Sequence, residues 1–111
     1  MALHSNAGIT FDLDAIRGDI PGLKIIRFEA LCGVSDESNS EGNKEDFWVL
    51  IDGQKRFEAI GMQFDSEPRS ISILLNREDR FLTLVSSDGD LYPNHDWGFF
   101  ALPRLEIEPI Q

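Results

Sequence analysis

One cysteine, Cys32, and two histidines, His4 and His95, stand in the 111 residues. A lone thiol closes no internal disulfide and builds no cysteine-rich zinc site. Nor do two imidazoles without His-x-x-x-His spacing give a zinc-hydrolase signature. Cations are scarce: ten Lys and Arg face twenty Asp and Glu, a formal net charge of −10. So acidic a surface repels phosphate backbones and anionic headgroups, and neither nucleic acid nor a membrane is expected as a partner. No apolar run approaches the roughly eighteen residues of a membrane helix. The opening residues do not read as a charged-then-apolar leader, which leaves the chain's address open. Gly-x-Ser-x-Gly is missing, and Cys32 has no imidazole near it in sequence. Paired carboxylates for glycoside hydrolysis would need a cleft built from loops alone. The chain is therefore read as non-enzymatic.

What is present describes a folded domain. Hydrophobic residues make up 41% and aromatics 10%, too many for a disordered chain. At this length one domain, 1–111, is expected, burying about two thirds of its unfolded surface. The periodicity is that of strands. In Leu23–Cys32, residues Ile26, Phe28, Ala30 and Cys32 share one face and Arg27 and Glu29 the other, making Cys32 a small buried hydrophobe. Phe47–Ile51 is nearly continuous apolar sequence. Asp52-Gly53 is a two-residue hairpin signal with Gln54–Ile60 returning. Gly8–Leu13, Ser70–Leu75, Arg80–Ser86 and Gly98–Ile107 complete seven strands. Both faces of Arg80–Ser86 read as buried, Pro103 marks a bulge or an edge, and Asp14–Arg17 is expected to make one helical turn. The pattern predicts an all-β sandwich of antiparallel strands.

Alternating strand direction then sorts the loops. If Asp52-Gly53 lies at one end, the 14–22 connection and the Asn76–Asp79 turn lie there too. The segment around His4 and Asn6 and the longer connections 33–46, 61–69 and 87–97 fall at the other end, where a rigid sandwich carries its binding loops.

The densest chemistry is Asp88-Gly89-Asp90-Leu91-Tyr92-Pro93-Asn94-His95-Asp96-Trp97. Amides and carboxylates take vicinal hydroxyls, and an aromatic ring covers the apolar face of a pyranose. Trp97 and Asp96 read first as a core indole and a loop-tying carboxylate. Tyr92 and His95 sit in turn context, which favours exposure. The acidic stretch Asp36–Gly42 is not an EF-hand loop, because Glu41 stands where glycine is needed and no helices flank it. It reads as a solvated loop, and a calcium site built on loop carbonyls stays open. Arg17-Gly18-Asp19 matches an adhesion tripeptide, but Gly18, Pro21 and Gly22 explain the segment as a turn.

Several segments in order resemble the NPCBM family of carbohydrate-binding modules, which are related to galactose-binding β-sandwiches. They are His4–Leu13, Arg27-Phe28-Glu29-Ala30 with Gly33-Val34-Ser35-Asp36, Phe47–Gly53, Arg80–Val85 and His95-Asp96-Trp97. The resemblance covers nearly the whole chain. It implies a jelly-roll-like sandwich, non-catalytic binding of galactose-type glycans, sometimes a structural calcium ion, and a secreted or periplasmic setting beside an enzyme. By motif it carries His4, Asp36, Asp96 and Trp97 over as ligand-binding positions. Family domains carry a further stretch before the segment matching Leu3-His4, so the chain is expected to be N-terminally truncated, lacking the first strands, the alternative being a domain complete in a reduced form. The unpaired edge so created would invite a second copy of the chain.

Galactose-type glycan binding through His4, Asp36, Tyr92, His95, Asp96 and Trp97 is the leading expectation. The alternative is a structural or protein-interaction sandwich without glycan binding.

Overall fold

The computed structural model describes residues 2–4, 7–34, 45–62, 67–88 and 97–110. Along these run β1 (Ala2–His4), β2 (Ala7–Asp12), α1 (Leu13–Asp19), β3 (Leu23–Val34), β4 (Glu45–Ile51), β5 (Gln54–Met62), β6 (Arg69–Leu74), β7 (Phe81–Asp88) and β8 (Trp97–Pro109). Two four-stranded sheets result, β1-β8-β3-β6 and β2-β7-β4-β5. Every pairing is antiparallel. Only β4 and β5 follow one another within a sheet; each other step along the chain changes sheet. That order is a jelly roll, as the sequence leads one to expect.

Period-two alternation builds the core. Phe47, Val49 and Ile51 of β4 and Leu82 and Leu84 of β7 turn inward from one sheet. Phe28, Ala30 and Cys32 of β3 and Ile71 and Ile73 of β6 meet them from the other. Phe47 and Phe100 join the layers edge to face, with ring centroids 5.5 Å apart and planes at 89°. That geometry suits the aromatic quadrupole.

Three local features differ from the simplest strand reading or refine it. The helix is longer than one turn. Asp12 caps it by accepting from the Asp14 and Ala15 amides at 3.0 and 3.3 Å, and buried Leu13 anchors its first turn. Pro103 does mark a bulge: the register passes from Glu29↔Arg104 to Leu31↔Ala101, leaving one extra residue in β8, and Leu102 takes φ 52. The third concerns β7. Its Leu82, Leu84 and Ser86 are buried, but Thr83 and Val85 are only half-buried and Phe81 is 40% exposed. Only one face of β7 meets the core, and on the other the Arg80 guanidinium lies 4.8 Å from the centre of the Phe81 ring.

The two solvent faces differ chemically. On the β3–β6–β8 face Arg27 pairs with Glu106 at 3.3 Å and donates to Ser72 Oγ at 2.7 Å, while Arg104 pairs with Glu29 at 3.4 Å. On the other sheet, register aligns Gly8, Val85, Trp48 and Glu58 in one row across four strands. A second row holds Thr10, Thr83, Leu50 and Lys55.

Candidate functional site

The ends of the sandwich are built differently. At one, short turns are bonded shut. Asp52 (φ 50) and Gly53 (φ 82) make the β4–β5 hairpin, in left-handed geometry that Asp and Gly tolerate. The Asp52 carboxylate accepts from the Phe81 amide at 2.8 Å and the Arg80 amide at 3.2 Å, fastening the hairpin to β7. Arg17 closes the α1 side, donating to the Asp79 carbonyl at 2.6 Å and the Asn76 carbonyl at 3.0 Å and pairing with Asp14 at 2.8 Å. Arg17-Gly18-Asp19 thus lies in the last turn of α1 rather than in a free loop, with its guanidinium engaged.

At the opposite end lie His4, Ala7, Val34, Glu45, Met62, Arg69, Asp88 and Trp97, the strand termini that flank 5–6, 35–44, 63–66 and 89–96. Register fixes this: His4 pairs with Trp97, Val34 with Gly98, Glu45 with both Met62 and Asp88, Ala7 with Ser86 and Arg69 with Cys32. The sorting of loops by strand direction is therefore correct. Of the six residues expected in a binding site, His4 and Trp97 are brought together as cross-strand partners. Asp36, Tyr92, His95 and Asp96 lie outside the described residues.

The floor of this end is polar, which sequence reading did not anticipate. Glu45 and Ser86 are fully buried, and Ser86 Oγ donates to Glu45 Oε1 at 2.5 Å. A charge-bearing side chain at such a depth requires hydrogen-bonding partners. Their placement follows from chain position: Glu45 opens β4 directly after 35–44, and Ser86 stands near the end of β7 before 89–96. Beside them Asp46 Oδ1 accepts from the Gly61 amide at 2.7 Å. Gly61 has φ 71 and sits where the β4–β5 register skips, between Glu45↔Met62 and Phe47↔Ala59. Signals were there for both features. Glu45 shares the parity of Phe47, Val49 and Ile51, and Gly61 interrupts a strand pattern.

Under this floor Cys32 is buried with its Sγ 4.0 Å from Met62 Sδ. Burial pushes its thiol up to about 11, partly offset by Arg69. That makes it packing rather than a nucleophile. Among the described residues, no group of three His, Cys, Asp or Glu is placed to hold a metal ion. An apolar cavity of about 320 Å³ opens elsewhere, between Phe11, Leu13 and Ile16 on one side and Pro103 and Leu105 on the other. Its almost wholly apolar wall suits no sugar.

A family model for the NPCBM/NEW2 domain matches residues 1–106. A CBM51 module from Clostridium perfringens GH95, solved in complex with methyl-galactose, is 23% identical with a TM-score of 0.81, over 95% of this chain and 68% of that one. The M60 catalytic domain of Clostridium perfringens ZmpB with its CBM51-1 and CBM51-2 domains is 24% identical at TM-score 0.79, over 94% of this chain and 10% of that one. CBM51-2 with INT domains of the same ZmpB, in complex with GlcNAc, is 19% identical at TM-score 0.76, over 94% of this chain and 21% of that one. The sandwich fold is common to all three. No curated protein matches the chain significantly.

Proposed function

The chain belongs to the NPCBM/NEW2 domain family of carbohydrate-binding modules, and from that premise we propose that it binds galactose-type glycans at its loop-bearing end without catalysing their cleavage. The observation that carries this reading is the pairing of His4 with Trp97 at the end where 35–44, 63–66 and 89–96 begin and finish. His4 and Trp97 then stand on adjacent strands, with Asp36 two residues past Val34 and His95-Asp96 directly before Trp97. Trp97 or Tyr92 stacks on the apolar face of the sugar, and His95, Asp96, Asp36 and His4 meet its hydroxyls. Modules solved with methyl-galactose and with GlcNAc share this fold, which supports a sugar as the ligand. One such site binds weakly, and attachment to an enzyme outside the cell restores affinity through effective concentration.

Calcium, if bound, would draw on loop carboxylates and carbonyls at this end. A second copy of the chain is the other proposed partner, pairing along the β8 edge that β1 leaves uncovered beyond Phe99.

Calorimetric titration with methyl galactoside and with GlcNAc, with and without calcium, tests the reading. Saturable binding of the galactoside, lost in Trp97→Ala and weakened in His4→Ala, is expected. No saturable heat at millimolar sugar in either condition would overturn it in favour of a protein-interaction sandwich.

A further inference from the structure

An antiparallel sandwich normally turns polar residues to water from both outer faces. The β3–β6–β8 face carries two ion pairs beside its exposed Leu74, while the opposite face gathers apolar side chains around an indole. There Trp48, Leu50 and Val85 lie half-buried side by side, with Ile60 56% exposed at the edge strand. Trp48 is also held in place. Its Nε1 donates to Glu58 Oε2 at 3.2 Å, and the same oxygen accepts from Lys55 Nζ. Next to this indole, in the second row, the Thr10 and Thr83 hydroxyls are 2.9 Å apart. At the end of the Trp48 row stands Gly8, where no side chain rises above the sheet.

We propose that the outer face of the β2-β7-β4-β5 sheet is a second glycan-binding surface, on which a neutral oligosaccharide lies across the strands with one ring stacked on Trp48. This goes beyond the loop-end site, shares none of its residues and does not depend on it. The chemistry is that of a sugar ring: an apolar face meets the indole, and hydroxyls meet Glu58, Lys55 and the threonine pair. Fixing the indole beforehand removes the ordering cost that weakens flexible platforms. At a net charge of −10 the chain suits a neutral ligand better than an anionic one.

Size decides against a protein partner. Four strands spaced about 4.8 Å apart make each row about 14 Å long, and the platform covers on the order of 200 Å². A stable protein interface buries about 800 Å² on each side. The apolar cluster of Trp48, Val85 and Leu50 is flanked by Glu58 and Lys55 on one side and by Thr10 and Thr83 on the other. The row is long enough for a short oligosaccharide.

The experiment is a ¹⁵N NMR titration of the whole chain with galactotetraose and with methyl galactoside, following the two indole resonances separately. The expected result is a saturable tetrasaccharide-induced shift of the Trp48 indole and of the Gly8, Val85 and Glu58 amides. Trp48→Ala removes the amide shifts, while Trp97→Ala leaves the Trp48 platform responsive. Trp48→Phe, which keeps a ring on the sheet, retains part of the response and guards against misfolding. A Trp97 shift with a silent Trp48 would overturn this proposal and leave the loop-end reading standing. Silence at both indoles would overturn both. A Trp48 resonance that moves with protein concentration and not with sugar would mean that a second copy covers the face, and would also overturn it.

Discussion

Ser86 Oγ and Glu45 Oε1 share a 2.5 Å hydrogen bond at full burial, tying the start of β4 to the end of β7. Both strands lead into the connections that carry the expected binding residues. Ser86→Ala removes a donor from a buried carboxyl, so a loss of about 1–3 kcal/mol is expected. Urea unfolding followed by far-UV circular dichroism measures it. A loss at the upper end of that range, with weaker galactoside binding at full folding, would mean that the pair also positions the loops.

Asp52 works at the opposite end through backbone conformation as well as bonding. It holds φ 50 and accepts from the Arg80 and Phe81 amides. Asp52→Ala loses the bonds and puts a β-carbon in left-handed geometry, which together cost about 2 kcal/mol. Asp52→Asn keeps the tolerance for that geometry and an acceptor oxygen, so its loss is smaller. Equal losses for the two substitutions would show that the conformational contribution is negligible. Sugar affinity is unchanged in both, since the loop-bearing end lies at the far side of the sandwich.

How much of this is written in the sequence depends on what sets each feature. Strands repeat every two residues, so Phe47, Val49 and Ile51 announce an inward face and the Asp52-Gly53 pair announces the turn. Parity then carries the loops to their ends without any knowledge of their conformation. The chemistry of the 88–97 segment is likewise legible as composition. What periodicity does not encode is tertiary bonding. Asp46 finds the Gly61 amide fifteen positions away, and Ser86 finds Glu45 forty-one away. Similarly, the parity of Phe47, Val49 and Ile51 sends Trp48 to the outer face, but only the pairing of β4 with β5 sets it beside Glu58. Sequence shows only one turn of the helix because seven residues hold barely two periods, and its stability rests on the Asp12 cap and packing of Leu13.

Cys32 gives a chemical test of the core. Its thiol ionises near 11 in the fold because burial disfavours the thiolate, against about 9 when exposed. A raised value means that the neutral thiol's contribution to stability is full below about pH 9 and is lost as pH climbs toward 11. Ellman's reagent at mildly alkaline pH should therefore label the native chain only as fast as it unfolds, and labelling in urea should be immediate. The unfolding midpoint should fall more steeply above pH 9 in the wild type than in Cys32→Ala. Rapid labelling of the native chain would show an open path to the sulfur, contrary to its complete burial.

Glu58 titrates in the opposite sense. Its bond from Lys55 is the largest cause holding its carboxyl below the ordinary value of 4.5, and the bond from the Trp48 indole adds to it. A depressed value means that the stabilisation is present above 4.5 and is lost as pH falls through the lowered folded value. The group is exposed, so water and salt screen the interaction and its effect on global stability is small. The local signal is more telling. The Trp48 Nε1–H resonance should hold its position as ordinary carboxylates protonate and shift only at lower pH. In Lys55→Met the same shift should move up toward the ordinary carboxylate range, and added salt should move it part of the way. An indole resonance already titrating at 4.5 in the wild type would show that Lys55 does not hold Glu58 ionised, and that the Trp48 ring is anchored by other means.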